Sequence, residues 1–236
     1  MSLGSDSGAP RYGVVLGRFQ PLHNGHLEYL EAARKKADKL IVGITNPDKD
    51  RLIHDSADPH RSAGDSNPFP YFDRQLMIEA SLTEAGWAAA DFAVVPAPVN
   101  SPAEMLPYLP PPAVSTVCIT VYDAWGDRKA EVMRDLGYRV EILWRRDRNS
   151  KITSGTAIRS AMRTGGNWRD FVPGAVARHL DDSGWTETMA GGRQLTDWLL
   201  TSALPDCSVS VSELMGVGAA ARLLPPAPGA YHYQET

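Results

Sequence analysis

The chain has 236 residues, of which 43% are hydrophobic and 22% charged, with a formal net charge of -4. That length buries a substantial core and suits one large domain, or one domain with an appendage. The mild acidity excludes a general nucleic-acid binder, which needs a basic surface, and no apolar run approaches the ~20 residues that cross a bilayer.

Met1 to Pro10 is small, polar and lacks the charged start and apolar core of a secretion signal, so residues 1–10 read as a disordered lead to a cytoplasmic protein. Tyr12-Gly13-Val14-Val15-Leu16 is a short, β-branched run of the kind that forms a buried parallel strand. It runs into Gly17-Arg18-Phe19-Gln20-Pro21-Leu22-His23-Asn24-Gly25-His26, after which Leu27, Leu30, Ala33 and Ala37 fall at helical spacing. The segment therefore lies in a strand-to-helix turn, where open α/β sheets place their ligands. Two imidazoles with a glycine between them and an arginine ahead suit an anion entering a helix N-terminus. Two histidines with no third ligand do not make a zinc site.

Lys39 to Thr45 is a second buried strand and completes a β-α-β unit. From Asn46 to Pro70 the pattern dissolves into Asp, His, Ser, Asn and Pro, including the solvated His54 and His60. A loop that long is either a flap that closes on substrate or a plain insertion. Asp73 to Gly86 reads as a helix ended by glycine, Asp91 to Val95 as the third strand, and Ala103 to Leu109 as a short helix. Thr116 to Val121 gives the fourth strand, Ala124 to Leu136 a helix and Tyr138 to Leu143 the fifth strand. Cys118 and the distant Cys207 fit no metal spacing and no disulfide framework, and read as buried thiols.

Strands alternating with helices give an α/β fold: a Rossmann-like open parallel sheet of about five strands with helices on both faces. No G-x-G-x-x-G follows the first strand, so no organic dinucleotide cofactor is expected. After Trp144 the chain turns basic, with Arg145, Arg146, Arg148, Lys151, Arg159 and Arg163 against the single Asp147. Within this stretch Ser154 or Thr156 can cap a following helix, which makes either a second anion site or a simple N-cap before a solvated basic face. Short helices follow over Trp168 to Gly184, with Pro173 at a helix start. The sheet domain is expected to span residues 11–185, followed over 186–236 by a C-terminal extension, helical from Arg193 to Leu204 and ending in a flexible tail.

If both anion sites reach one crevice at the carboxyl ends of the strands, they imply a bound triphosphate. Attack at its α-phosphate needs no covalent enzyme nucleophile when the acceptor brings its own phosphate oxygen. Arg18, His23, His26 and Arg159 are suited to positioning and charge neutralisation there. Magnesium would be held chiefly by the substrate's own oxygens, with no protein metal cage.

Gly17 to His26 resembles the HxGH signature of the nucleotidylyltransferase superfamily, in the form found in archaeal-type nicotinamide-nucleotide adenylyltransferases. Ser154-Gly155-Thr156-Ala157-Ile158-Arg159 resembles that family's second signature, Asn67-Pro68-Phe69 followed by Arg74 its NPF segment, and Trp168 with Val172-Pro173 its W-x-x-x-V-P ending. The resemblance spans about residues 12 to 184. It implies that His23 and His26 contact the α-phosphate, that Arg18 neutralises charge, and that Ser154, Gly155, Thr156 and Arg159 hold the β and γ phosphates. Gly17, Phe19 and Gly25 then border the nucleotide, with Asn67 and Arg74 toward the acceptor.

The chain departs from the family pattern at three places. Pro70-Tyr71-Phe72-Asp73-Arg74 stands where the family reads T-x-x-E-R after NPF, keeping acid and base but adding aromatics. No tryptophan follows Asn100, where the family stacks one on the pyridine, and Tyr122-Asp123-Ala124-Trp125-Gly126 replaces a G-N-P-like turn. Asn100, Tyr122, Asp123 and Trp125 are accordingly candidate acceptor residues, Trp125 being either a stacking ring or a core tryptophan. The resemblance implies transfer of a nucleotidyl group from ATP or CTP to a small phosphorylated or phosphonate acceptor. Adenylyl transfer to nicotinamide mononucleotide is the first reading and CTP-dependent transfer to a phosphonate its alternative. A nucleotide sensor is the non-enzyme alternative, and homo-oligomerisation is left open. A class I aminoacyl-tRNA synthetase also carries a HIGH-type motif, but this acidic chain is too short to add an anticodon-binding domain.

Overall fold

A computed structural model describes residues 10–48, 66–147 and 153–191. Five parallel strands, β1 (Tyr12–Gly17), β2 (Lys39–Ile44), β3 (Phe92–Pro96), β4 (Ser115–Val121) and β5 (Arg139–Arg145), form one sheet in the order β3-β2-β1-β4-β5. The helices are α1 (Asn24–Arg34), α2 (Tyr71–Glu84), α3 (Pro102–Met105), α4 (Ala124–Asp135), α5 (Gly155–Thr164), α6 (Gly174–Asp182) and α7 (Trp185–Met189), with short 3-10 turns at 106–108, 112–114 and 169–171. The expected open parallel α/β sheet is the fold observed.

The period-2 alternation of the strands sorts the core. Val14 and Leu16 of β1 join Ile41, Val117, Ile119 and Val121 in a cluster closed by Met105, Leu109, Ala130 and Met133. Val15, between them, is also fully buried, on the face covered by α1. Both faces are therefore apolar, as a parallel sheet covered on both sides requires. Cys118 is buried, and burial holds its thiol up at about 12, where it is inert.

The break in sheet order falls between β1 and β4. β1 pairs with β2 through six residues, but with β4 only from Tyr12↔Ser115 to Val14↔Val117. Beyond that point the strands separate, and the carbonyls they no longer share are met by side chains. Lys129 Nζ of α4 donates to Leu16 O at 3.1 Å, and the Tyr29 hydroxyl of α1 donates to Cys118 O. This separation opens the crevice at the topological switch point.

Several boundaries differ from the sequence reading. α1 starts at Asn24 rather than Leu27 because His23 is its N-cap, its Nδ1 accepting the His26 N–H at 3.2 Å. The signature's second half is thus the helix's first turn. α2 starts at Tyr71, two residues early, and Pro173 stands at the N-cap of α6 rather than its first helical position. The loop, lead, tail and 193–204 helix expected from the sequence lie largely or wholly outside the described residues, as do His54, His60, Arg148, Lys151 and Cys207.

Arg74, expected near an acceptor, is instead a buried hub. It is 1% exposed, and its guanidinium donates to five carbonyls: Arg18 at 3.1 Å, Thr45 at 2.9 Å, Asn46 at 2.8 Å, Pro47 at 3.3 Å and Pro70 at 3.3 Å. Burial pushes it down to about 10, so it remains a cation at neutral pH. It ties the turn after β1, the turn after β2 and the start of α2 together.

Arg74→Met keeps the apolar volume but leaves those carbonyls without their donor. We expect a loss of about 3 kcal/mol, a fall in melting temperature of roughly 10 °C, and no rescue by Arg74→Lys, whose ammonium cannot span five acceptors. Urea denaturation of the three proteins checks this; a loss below about 1 kcal/mol would rule out the hub.

Candidate active site

The turn from β1 to α1 is built from short-range constraints. Phe19 adopts φ 52°, which is uncommon for a residue with a side chain, and its fully buried ring folds back over Gly17. A Cβ on Gly17 would lie 2.7 Å from that ring, so glycine is needed there. The same ring meets His26 edge-on at 4.9 Å between centroids. His26 in turn stacks on His23, with centroids 3.6 Å apart and planes 17° from parallel. Phe19 supports the imidazoles rather than offering itself as a donor.

The far side of the turn is held by Gln20 and Arg159. The Gln20 side chain exchanges two hydrogen bonds with the Phe69 backbone, Nε2 to O at 2.9 Å and N to Oε1 at 3.0 Å. Its own carbonyl accepts from Arg159 Nη1 at 2.6 Å. Arg159 is 2% exposed, lies one turn into α5, and reaches Thr156 Oγ1 at 3.4 Å. Burial first, and the neighbouring Arg163 second, lower its guanidinium to about 10, still charged at neutral pH. Its Nε is buried with no hydrogen-bond partner among the described residues.

Ser154 caps α5, its Oγ accepting the Ala157 N–H at 3.2 Å. The N-cap reading of Ser154 holds, and the helix it starts opens on the crevice with its first-turn residues. Gly155 lets the helix approach the first turn, because a Cβ there would stand 2.6 Å from Gln20 O.

These elements wall a cleft of about 1050 Å³. It is lined by Gly17, Arg18, Phe19, Gln20, His23, Gly25 and His26 from the first signature and by Thr153 to Arg159 from the second. Residues of both signatures thus share one crevice. Tyr122, Asp123 and Trp125 line it from the end of β4, where Asp123 caps α4 by accepting the Gly126 N–H at 3.1 Å. Trp125 lines the cleft and is also partly buried against the core cluster.

Asn67, Arg74 and Asn100 are not among the lining residues. Asn67 is 2% exposed, Arg74 is spent on carbonyls, and Asn100 follows a segment whose Ala97 and Val99 are packed inward. The basic run is also divided: Arg145 pairs with Asp127 at 2.8 Å and Arg146 with Glu28 at 2.9 Å. Sequence reasoning missed Gln20, Glu28, Tyr29, Lys129, Arg146 and Phe171, all in the lining. Lys129 carried a usable signal, since it shares a helical stripe with Gly126, Ala130 and Met133, a lysine within an otherwise core-facing row.

Among the described residues no three His, Cys, Asp or Glu side chains gather to hold a metal, and the cleft's carboxylates, Glu28 and Asp123, are engaged in an ion pair and a helix cap. No helix among the described residues is long and apolar enough to cross a membrane.

Residues 14–161 match the cytidylyltransferase-like family. The chain is 43% identical over 175 residues to a phosphonoformate cytidylyltransferase of Streptomyces viridochromogenes, covering 74% of this chain and 93% of that one. It is 32% identical over 179 residues to a nicotinamide-nucleotide adenylyltransferase of Methanothrix thermoacetophila, covering 73% and 90%. Among solved structures, a bifunctional NMN adenylyltransferase/ADP ribose pyrophosphatase of Francisella tularensis shares the fold with a TM-score of 0.53 at 17% identity, over 82% of this chain and 55% of that one. With both signatures lining one crevice and the family match spanning them, the chain belongs to the cytidylyltransferase-like family and is a nucleotidylyltransferase.

Proposed function

We propose that the chain transfers CMP from CTP to an oxygen of a small phosphonate, releasing pyrophosphate. The observation that carries the reaction type is the sharing of one cleft by the stacked His23–His26 pair and the α5 N-terminus with Arg159. The choice of CTP and a phosphonate rests on the 43% identity to the Streptomyces enzyme over nearly its whole length. The turn after β3 supports it, because Ala97 and Val99 are packed inward and no residue of that turn lines the cleft as a second base-stacking wall. A small acceptor needs no such wall.

In this reading a phosphonate oxygen, already anionic at neutral pH, attacks the α-phosphorus of CTP. The bond from that phosphorus to the bridging oxygen breaks, and the pyrophosphate leaves with the bond's electron pair. His23 and His26 donate to the non-bridging oxygens where charge grows, and Arg18 adds positive charge beside them. The α5 amides, Ser154, Thr156 and Arg159 hold the leaving phosphates, so the group's departure is not opposed by solvent reorganisation. Magnesium bound to the triphosphate would supply further positive charge on the leaving phosphates. No enzyme base is required, and catalysis is positioning plus electrostatics.

The second reading, adenylyl transfer to nicotinamide mononucleotide, is favoured by archaeal relatives such as the Methanothrix enzyme. A matrix of ATP and CTP against nicotinamide mononucleotide and small phosphonates, scored by pyrophosphate release, decides between the two. Tight nucleotide binding with no release from any pair would leave a sensor.

His26→Ala should lower turnover about 10³-fold while nucleotide affinity stays within about tenfold, because the lost donor matters most in the transition state. Near-normal turnover would remove His26 from the reaction. Gly155→Ala should raise KM for the triphosphate about tenfold or more, since its methyl group forces α5 away from Gln20 O, with a smaller change in kcat. Steady-state kinetics with a folded-state check by circular dichroism measures both, and an unchanged KM would show that the cradle tolerates the shift.

A further inference from the structure

Beyond the phosphate end, the cleft has a second polar wall that the reaction as described leaves unused. Arg146, just past β5, donates to Glu28 of α1 through both terminal nitrogens, Nη1 to Oε2 at 3.2 Å and Nη2 to Oε1 at 2.9 Å. Its guanidinium lies over the Trp144 ring, 4.4 Å from the centroid. The Trp144 indole N–H donates to the Tyr122 hydroxyl at 3.0 Å, and Tyr29 meets the same indole edge-on. Glu28, Tyr29, Tyr122 and Arg146 all line the cleft.

The arrangement has a backbone cause. β4 and β5 change register between Ile119↔Ile142 and Thr120↔Trp144, so Leu143 is an extra residue in β5. Such a bulge re-aims the side chains that follow it. Here it sets Trp144 opposite Thr120 and brings it against Tyr122 and Tyr29. A surface ion pair of long side chains is ordinarily worth little. This one is bidentate, stacked on a ring and inside a cleft, which fixes a donor and an acceptor side by side.

We propose that Glu28 and Arg146 read the hydrogen-bonding edge of the nucleotide base and select cytosine. Cytosine offers an amino donor beside two acceptors, N3 and O2. Glu28 keeps lone pairs to accept from the amino group, and of the five N–H groups of Arg146 two go to Glu28 and one to the Tyr122 hydroxyl, which leaves two to donate to N3 and O2. Uracil reverses the pattern at two of the three positions: a carbonyl faces the carboxylate and an N–H faces the guanidinium. Adenine keeps one donor and one acceptor but lacks the third contact. Trp125, on the same cleft, supplies a ring for the base to lie against.

This inference rests on the CTP reading but is tested apart from it. Calorimetric titration of the full chain, and of Glu28→Gln and Arg146→Met, with the magnesium complexes of CTP, UTP and ATP and with magnesium pyrophosphate needs no acceptor. The unaltered chain should bind CTP about tenfold or more tighter than UTP, and both variants should bring that ratio close to one while binding pyrophosphate as before. Both side chains are partly exposed, so melting temperatures should barely move. An unchanged CTP:UTP ratio in either variant, an equal loss of pyrophosphate binding, or a preference for ATP in the unaltered chain would overturn the assignment. CMP transfer failing with every phosphonate, while the binding ratios behave as stated, would instead overturn the acceptor and leave the base-reading pair intact.

Discussion

The site depends on how the backbone between β1 and α1 is suspended. Arg74 of α2 takes the carbonyl of Arg18, and Arg159 of α5 takes the carbonyl of Gln20, two residues on. Both arginines are almost wholly buried, Arg74 with five carbonyl acceptors around its guanidinium and Arg159 with Gln20 O and Thr156 Oγ1 on its terminal nitrogens. With those carbonyls drawn into the protein, the opposite side of the turn is left to the imidazoles and the crevice. The same two bonds connect the turn to both halves of the sheet, so the phosphate-binding helix α5 is positioned from the histidine turn itself.

The separation of β1 and β4 supplies the other half of the construction. A parallel sheet cannot give up strand pairing without leaving polar groups behind, and here Lys129 and Tyr29 meet two carbonyls at the point of divergence. Burial drives the Tyr29 phenol strongly upward, so it stays a neutral donor. The crevice is therefore lined from its first residues by groups that also hold the fold, and the distinction between scaffold and site is narrow here.

Much of this was legible in the chain. The five apolar runs gave the strands, because a doubly covered parallel sheet requires continuous hydrophobic segments, and both signatures fell at strand-to-helix turns. What periodicity does not report is the partner of a polar side chain. Arg74 sits in a motif with an acidic neighbour and an exposed-looking helix start, yet its five acceptors come from three separate turns. His23 was placed in a loop because a histidine N-cap has no strong propensity signature, unlike Ser154, whose capping role was readable. The Leu143 bulge, and with it the placement of Trp144 and Arg146, depends on pairing with β4 and leaves no local mark.

The cap formed by His23 has a chemical consequence. Its Nδ1 accepts the His26 backbone N–H, so that nitrogen carries no proton and the ring's hydrogen belongs on Nε2. The helix end thereby selects one tautomer of the imidazole before any ligand arrives, and leaves a neutral donor on the side away from the cap. The turn does not hang on that nitrogen alone, since the His26 and Leu27 N–H groups also reach the His23 carbonyl at 2.7 and 3.1 Å. The backbone sets the height of the helix end, and the side chain, in capping it, has its own orientation set.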